Sequence, residues 1–339
     1  MKRCSVNRSG LWLFVVSACG SHVVDAGHLP ELTDPGSTGT VGNSRADAGT
    51  SSSTAPNGNC AVLGLDQYRI VFDSDGGKLE RRIYSMRADG TDLQPLTPTD
   101  ELAREPVVSP DGTQLAYTTP EGVKLMQLNS GESELVWPGA DLPTWSRDGS
   151  QLLYRGGYGN SSSYARIGLS DRVQDMDMGT IYATSRAEFN LDDSALLYVF
   201  NNGEIAERQY ALARYDFTSH AGSTIVPQTA TAIAHPTLSP DGVWVAAAFD
   251  CPGSDRSSLW ASPYTVTTPA CEGRRITRND AVSATNPSWG PGVLIAYERG
   301  EPPRDIAIIA ADTGDECVLP GLGDERNPSW FPATPSDVR

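Results

Sequence analysis

The chain of 339 residues carries 42 acidic and 26 basic side chains, a formal net charge of −16, and it is rich in glycine (33) and proline (24). This length is enough for one large or two ordinary domains. The acidic balance argues against a nucleic-acid-binding protein, because phosphate contacts need clustered lysine and arginine, and lysine occurs only at Lys2, Lys78 and Lys124. Many valine, threonine and tyrosine residues and few helix-favouring runs indicate an all-β fold.

An export signal opens the sequence. Lys2, Arg3 and Arg8 precede an apolar stretch at residues 11–16, which is too short to cross a bilayer as a helix, since that needs about 20 residues. A basic start, a short apolar core and small residues after it predict a signal peptide over residues 1–18. Removing its three basic residues changes the net charge from −16 to −19.

The sequence around Cys19 resembles a bacterial lipobox. Val16-Ser17-Ala18-Cys19 places an aliphatic residue and two small ones before the cysteine. The resemblance implies that Cys19 receives a diacylglyceryl group and becomes the mature N-terminus. Gly20 and Ser21 follow it without an acidic residue, which resembles the sorting pattern of outer-membrane lipoproteins. The alternative is an ordinary signal peptide with a chance cysteine.

Residues 19–59 are predicted to form a flexible tether. From 20 to 59 there is no Phe, Trp or Tyr, and 31 of these 40 positions are Gly, Ser, Thr, Pro, Ala, Asn or Asp. Such a segment cannot bury enough apolar surface to offset its ordering entropy. As a flexible chain it spans about 35 Å root-mean-square, enough to hold a domain clear of a membrane.

One motif recurs after residue 60. Its full form is Pro, two residues and Ser-Pro-Asp-Gly, followed by an apolar run that ends in an aromatic residue. The copies, some of them degenerate, begin at Pro106, Pro143, Glu188, Pro236, Pro287 and Pro328. Each predicts a short strand, a tight turn in which glycine takes a positive φ, and a second, more buried strand. With two further strands, each unit of roughly 40 to 50 residues is typical of a β-propeller blade.

The two ends of the repeat region predict how the ring closes. Residues 68–97 supply three strands of a blade with no motif before them, and the copy at Pro328 supplies a first strand with nothing after it. Residues 60–339 are therefore predicted to form a six-bladed β-propeller, closed by joining the C-terminal strand to the N-terminal blade. A β-sandwich would not leave part of a unit at each end. The motifs resemble the TolB-type, WD40-like propeller repeat of bacterial periplasmic proteins, and the resemblance implies partners in the cell envelope.

Four further cysteines are disulfide candidates, because an even number in an exported protein suggests disulfides. A Cys60–Cys317 bond would staple the ring closed and leave Cys251 and Cys271 within one blade. The predicted strand order places those last two at opposite ends of the blade, which counts against their pairing. No Cys-x-x-Cys spacing points to a metal. The acidic segment 73–77 could suit calcium, but it more simply predicts a polar hairpin turn.

Little in the sequence predicts catalysis. His220 and His235 are the histidines of the repeat region, too few for the histidine-rich metal site of propeller lyases, and there is no Gly-x-Ser-x-Gly elbow. We expect the residues just before each motif proline to gather at one mouth of the channel and bind a partner. They are Arg104, Glu105, Asp141, His235, Asn286, Arg326 and Asn327. A solvated polar rim is the alternative. Tryptophans 145, 289 and 330 are expected to pack between blades as core.

The sequence thus predicts a non-catalytic, monomeric lipoprotein without a cofactor. It would be anchored to the bacterial envelope, at the outer membrane, and would bind a protein or peptide but no nucleic acid. The alternative is a carbohydrate-active or other small-molecule enzyme that uses acidic channel residues, and it would need two suitably placed carboxylates. Glu105 and Asp141 are the candidates for that pair.

Overall fold

The computed structural model describes residues 63–332, apart from 79, 157–162, 172–173, 176–184, 202–207 and 279–280. The predicted signal peptide, the lipidation site Cys19, the tether and Cys60 lie outside the described residues. Within the described residues, no helix is long and apolar enough to span a membrane.

The described residues form 24 strands in six antiparallel sheets of four strands each. In chain order, three strands come first, then five groups of four, then one last strand. The first three are β1 (Arg69–Ser74), β2 (Arg82–Arg87) and β3 (Gln94–Pro95). Blade 2 holds β4 (Arg104–Val108), β5 (Gln114–Thr119), β6 (Gly122–Gln127) and β7 (Ser133–Pro138). Blade 3 holds β8 (Asp141–Trp145), β9 (Gln151–Gly156), β10 (Ser163–Gly168) and β11 (Gln174–Asp175).

The remaining strands follow the same order. Blade 4 holds β12 (Glu188–Phe189), β13 (Ala195–Asn201), β14 (Tyr210–Asp216) and β15 (Ala221–Thr229). Blade 5 holds β16 (Ile233–Leu238), β17 (Trp244–Phe249), β18 (Ser258–Pro263) and β19 (Arg274–Arg275). Blade 6 holds β20 (Ala284–Trp289), β21 (Leu294–Arg299), β22 (Asp305–Ala310) and β23 (Glu316–Val318). The last strand is β24 (Glu325–Trp330).

Blade 1 is built from both ends of the repeat region, as predicted. Its strand order is β24-β1-β2-β3, and β24 pairs antiparallel with β1, with Ile70 opposite Trp330 and Ser74 opposite Glu325. The first strands of the six blades contact one another in a closed ring, in the order β24, β4, β8, β12, β16, β20 and back to β24. The six-bladed propeller and its closure by the C-terminal strand are therefore confirmed.

The hydrophobic core lies between the blades. In the described part of the chain there are six buried apolar clusters, each shared by two adjacent blades. In one of them, Phe72 and Met86 of blade 1 pack with Ile306 and Ile308 of blade 6. Because both faces of these sheets are covered, middle strands such as β22 are continuous apolar runs rather than alternating ones. Burial at the blade junctions therefore holds the ring together.

The Ser-Pro-Asp-Gly turn is stabilised by its own side chains. Ser109 Oγ donates to Asp111 Oδ1 at 2.6 Å, and the Gln114 backbone N–H donates to Ser109 Oγ at 2.9 Å. Gly112 has a φ of 72°, a conformation that costs glycine little. Ser146 and Ser239 make the same contacts in their own turns.

The third motif begins one residue earlier than predicted. Asn190 takes the place of the motif serine, because its Nδ2 donates to Asp192 Oδ1 at 2.7 Å and its Oδ1 accepts from the Ala195 N–H at 2.8 Å. The residue equivalent to the motif proline is therefore Ala187, not Glu188. The sequence offered no proline or glycine there to fix the alignment.

Cys251 and Cys271 form a disulfide with a Cα–Cα distance of 5.9 Å, so the strand-order argument against this pair is wrong. That argument considered the order of the strands and not the path of the connection between β18 and β19. In this connection, Thr268 donates its backbone N–H to Ile225 of β15, and Cys271 has a left-handed φ of 62°. The connection thus turns away from β18 and returns. Cys317 is also disulfide-bonded, but Cys60 lies outside the described residues, so that pairing stays a prediction.

Candidate functional site

In each blade, one residue stands just before the motif proline or its equivalent, and together we call these residues the channel ring. Five of them lie in the first strand of their blade, and the one in blade 4 lies two residues before β12. The channel ring is Glu105, Leu142, Arg186, His235, Asn286 and Asn327. All but Arg186 have a left-handed backbone, with φ between 50° and 57°. Each of these five stands at a register shift between the first and second strands of its blade, as expected for a β-bulge.

This backbone is costly, and contacts to the neighbouring blade compensate for it. A residue before proline is normally extended, and a left-handed non-glycine residue costs on the order of 1–3 kcal/mol. The bulge turns the Glu105 N–H towards blade 1, where Asp73 Oδ1 accepts it at 3.0 Å. In the same way the Asn327 N–H donates to Glu298 Oε1 of blade 6 at 2.9 Å.

Two further junctions use the same arrangement with different acceptors. The Leu142 N–H donates to Glu105 Oε2 at 3.1 Å, and the His235 N–H donates to Ser185 Oγ at 3.1 Å. In all four cases the acceptor belongs to the preceding blade. Four residues of the channel ring therefore join neighbouring blades through their backbone N–H groups.

Asp73 connects two strands of blade 1 with each other and with blade 2 through a buried network. It is fully buried, its Oδ2 accepts from Arg81 Nε at 2.6 Å, and its Oδ1 accepts from Asn327 Nδ2 at 2.7 Å. Arg81 Nη1 also donates to Asp324 Oδ2 at 3.1 Å. Asp73 is thus a structural residue and does not serve a cation-binding turn. In the described part of the chain, no group of three or more His, Cys, Asp or Glu residues is arranged to hold a metal ion.

The two carboxylates proposed for an enzyme are held by other contacts. Asp141 accepts from Arg155 at both oxygens, at 2.7 and 2.6 Å. Glu105 Oε2 accepts from Thr118 Oγ1 at 2.7 Å as well as from the Leu142 N–H. A general acid or base must be able to exchange its proton with a substrate. These contacts therefore give the carboxylates structural roles and do not favour an acid–base pair.

Arg186 is the exception in the channel ring. Its Nε and Nη2 atoms are buried and have no hydrogen-bond partner among the described residues, and the same is true of His235 Nδ1. Burial lowers the pKa of Arg186, and the charges of Glu105 and Asp73 oppose that effect. Burial, together with the positive charges of Arg186 and Arg155, lowers the pKa of His235 to about 4. At neutral pH the site therefore combines a cationic guanidinium with a neutral imidazole.

A cavity of about 500 Å³ extends from the channel ring to the Ser-Pro-Asp-Gly turns. Arg186, His235 and Asn286 lie at the channel-ring end, and turn residues such as Pro110 and Pro240 line the other. Trp145, Trp289 and Trp330 form part of its wall. This volume and this mainly apolar lining with a few polar groups are typical of ligand sites.

The seven predicted binding residues divide into two groups. His235 and Asn286 line the cavity, and the structure brings them together with Arg186. The other five, Arg104, Glu105, Asp141, Arg326 and Asn327, do not line it. Asn286 is held in place, since its Nδ2 donates to Glu298 Oε1 at 2.7 Å and to Asn327 Oδ1 at 2.6 Å.

The tryptophans have two roles where the sequence predicted one. Trp145 and Trp330 are buried, and their indole N–H groups donate to the backbone oxygens of Val107 and Ser288 in the preceding blades. They therefore pack between blades as expected, but they also line the cavity.

The sequence did not point to Arg186 as a site residue. Aligning Asn190 with the motif serine, and Asp192 with its aspartate, would have found it.

No family model matches the sequence, and no curated protein matches it. Solved structures are similar in fold. TolB from Acinetobacter baumannii has a TM-score of 0.65 at 20% identity, over 80% of this chain and 69% of that chain. Putative TolB from Agrobacterium tumefaciens has a TM-score of 0.58 at 15% identity, over 78% of this chain and 98% of that chain. A chain of a nidogen/laminin complex has a TM-score of 0.60 at 8% identity, over 78% of this chain and 98% of that chain.

Propellers of enzymes share the fold as well, so these similarities do not decide between binding and catalysis. At identities of 20% or less they establish architecture. The chain is a six-bladed β-propeller with the fold of the TolB propellers.

Proposed function

We propose that this protein is a non-catalytic lipoprotein of the bacterial cell envelope that binds a protein or peptide partner through its propeller. The observation that carries the proposal is the cavity of about 500 Å³ at the channel axis, with tryptophan and proline walls and a polar end. Buried aromatic residues are enriched where proteins bind partners. The similarity to TolB propellers and to a propeller from a nidogen/laminin complex supports the same class of function.

The cavity differs from the mouth predicted from the sequence. Of the predicted residues, His235 and Asn286 remain in the proposed site. Arg104, Asp141 and Arg326 precede the channel ring in their strands, so a partner at the cavity would reach the channel from the side of the Ser-Pro-Asp-Gly turns.

The test is an affinity capture with matched tryptophan variants. The bait is the chain from residue 19 with Cys19→Ser, exposed to the detergent-solubilised envelope of the source bacterium. Trp289→Ala changes the cavity wall, and Trp260→Ala changes a tryptophan of β18 that is also half-buried but lies outside this cavity. We expect one protein to be retained by the unchanged and Trp260→Ala baits and lost from Trp289→Ala. Equal retention by all three contradicts the cavity, and retention by none contradicts partner binding.

Anchoring needs its own experiment. If Cys19 is the lipidation site, cells fed a labelled fatty acid will label the unchanged protein and not Cys19→Ser. Fractionation of the same cells then assigns the membrane. Labelling that survives Cys19→Ser would exclude this anchor.

A further inference from the structure

The cavity opens among the turns at one end of the propeller. We call these turns the rim: residues 109–113, 146–150, 190–194, 239–243 and 290–293, together with 331–332 after β24. Pro110 and Pro240 of the rim line the cavity and are exposed. Neighbouring turns also contact each other, since the Arg147 and Asp148 N–H groups donate to the two carboxylate oxygens of Asp193 at 2.7 and 3.0 Å. The rim therefore surrounds an entrance that a ligand can reach from solvent.

The wall of the cavity on the side of blades 6 and 1 is apolar and accessible. Trp289, Pro291 and Phe331 line the cavity there, and each of them is half-buried. The indole N–H of Trp289 donates to the Gly292 backbone oxygen at 3.2 Å, so this tryptophan offers a ligand mainly its carbon surface. Aromatic and proline side chains in such a wall suit a large apolar group.

The charged side chains of the wall are paired or buried. Glu188 Oε1 accepts from Arg147 Nη2 at 2.6 Å, and Glu188 Oε2 accepts from the Leu238 N–H at 3.0 Å. The Nε and Nη2 atoms of Arg186 are buried, so a ligand in the cavity does not contact them. The interior therefore favours an apolar side chain of the partner over a charged one.

The rim is acidic on the side of blades 2 to 5 and carries no charged residue on the side of blades 6 and 1. It has five carboxylates, and its one basic side chain, Arg147, pairs with Glu188. Hydrogen bonds within their own turns lower the pKa of Asp111, Asp148 and Asp192, so these groups are negatively charged at neutral pH. The exposed carboxylates are Asp111, Asp148, Asp192 and Asp241, and the half-buried one is Asp193.

We propose that the partner inserts a large apolar side chain into the cavity, against Trp289 and Phe331, and places a neighbouring lysine or arginine at the rim carboxylates. This deepens the function proposed above and rests on it. The acidic rim favours a cation and disfavours an anionic segment, because charge complementarity selects between partners. The cation stays at the rim, since the positively charged Arg186 stands at the far end of the cavity.

Four small peptides test both parts of this contact. N-acetylarginylphenylalaninamide carries a cation beside an aromatic side chain. Its glutaminyl and glutamyl counterparts replace the cation with a neutral and an anionic side chain, and N-acetylarginylglycinamide lacks the aromatic one. Each is titrated into the Cys19→Ser chain up to about 20 mM, since a ligand of the native state raises the melting temperature by mass action.

We expect the rise in melting temperature to be largest with the arginyl-phenylalanine peptide, smaller with the glutaminyl peptide, smallest with the glutamyl peptide and absent with the glycine peptide. About 0.5 M sodium chloride should remove most of the difference between the first two, because salt screens exposed charges. No rise with the arginyl-phenylalanine peptide, or an equal rise with the glutamyl peptide, overturns the proposal.

Two triple variants locate the cation, and each replaces three aspartates with asparagine, which keeps the acceptor oxygen of the turn and removes the charge. The rim variant combines Asp111→Asn, Asp148→Asn and Asp241→Asn. The control combines Asp89→Asn, Asp216→Asn and Asp312→Asn, which lie at turns between the third and fourth strands, outside the cavity, and also accept backbone N–H groups.

The rim variant should respond equally to the arginyl and glutaminyl peptides, and the control should keep the difference between them. If the rim variant keeps that difference, the rim carboxylates do not bind the cation. The salt titration of the unchanged chain gives the same test without a substitution, should the rim variant fail to fold.

Trp289→Ala and Trp260→Ala test the apolar part. Trp289→Ala should abolish the rise with every peptide, whereas Trp260→Ala, which lies outside this cavity, should keep it. A rise that survives Trp289→Ala overturns the position of the apolar side chain. A second copy of the chain in the cavity would appear in sedimentation equilibrium as a dimer that Trp289→Ala dissociates, and this result would also overturn the proposal.

The partner-capture experiment separates this inference from the function on which it rests. Loss of the captured protein from the rim-variant bait, with retention by its control, supports the cation contact in the natural complex. Retention by both, with loss from Trp289→Ala, leaves partner binding standing and overturns the cation. Failure of every bait, including the unchanged one, overturns the proposed function itself, and the peptide titrations then decide the chemistry of the cavity alone.

Discussion

Asn327 donates its backbone N–H to Glu298 Oε1 at 2.9 Å, across the junction between blade 6 and the blade that closes the ring. The same Glu298 oxygen accepts from Asn286 Nδ2 at 2.7 Å, so one carboxylate connects two members of the channel ring. Glu298 is buried. Closure of the propeller therefore depends on polar contacts near the axis as well as on β24 pairing with β1.

Asp73→Ala should be among the most destabilising single changes in the protein. It leaves Arg81 without one carboxylate partner and the Glu105 N–H without its acceptor. Breaking one side of a buried ion pair costs about 3–5 kcal/mol. Urea unfolding measures the loss. Asp92→Ala is the control, because Asp92 pairs with Arg69 at the surface, and exposed pairs contribute at most about 1 kcal/mol. Similar effects for the two variants would show that the buried network is not important for stability.

Glu325 should make the protein more stable at mildly acidic pH. Burial raises the pKa of Glu325 from 4.5 to about 7, so in this interval the folded state holds a proton that the unfolded state has lost. Stability from this group is full below pH 4.5 and falls as the pH rises through 7, by on the order of 3 kcal/mol in total. Glu325→Gln should remove this dependence from the curve of unfolding free energy against pH. An unchanged slope would mean that Glu325 titrates normally.

His235 should act in the opposite direction. The pKa of His235 is lowered from 6.5 to about 4, so in this interval the unfolded state holds a proton that the folded state lacks. Its contribution to stability is present above pH 6.5 and is lost as the pH falls towards 4. His235→Asn, which tolerates the left-handed backbone, should flatten this acid-side loss. A curve identical to that of the unchanged protein would contradict burial of the imidazole.

The two disulfides can be tested together. Cys251 and Cys271 are 20 residues apart, and a bond closing a loop of this length stabilises by about 3 kcal/mol. Replacing both with serine should lower the unfolding free energy by that amount, and reduction should then have little further effect on blade 5. Peptide mapping of the unreduced protein should link Cys317, which is disulfide-bonded, to Cys60. A link from Cys317 to any other cysteine refutes the predicted pair.

The repeat motif and its half-units at the two ends were enough to predict six blades and their closure, since Pro328 begins a strand that pairs with β1. Local rules could not predict the left-handed backbone at Glu105 or Asn327, because the residue before a proline is normally extended. That conformation is supported by acceptors in another blade, which are distant in sequence.

The site was predicted less well because its main cation stands in the copy with the fewest motif residues. Because the third copy has no proline or glycine to fix its alignment, Glu188 was aligned with the motif proline. Arg186 was therefore not identified as a site residue. Burial of the Arg186 Nε and Nη2 atoms without a hydrogen-bond partner depends on the whole ring. By contrast, His235 and Asn286 were found because a proline follows each of them.

Blade 1 has a consequence for how the protein is made. Its innermost strand is β24, which the ribosome synthesises after every other strand of the ring. Until then β1 has a free edge, and unpaired strand edges of this kind attract other chains. A polypeptide that ends early would leave this edge open, so proteases could distinguish truncated products from finished ones.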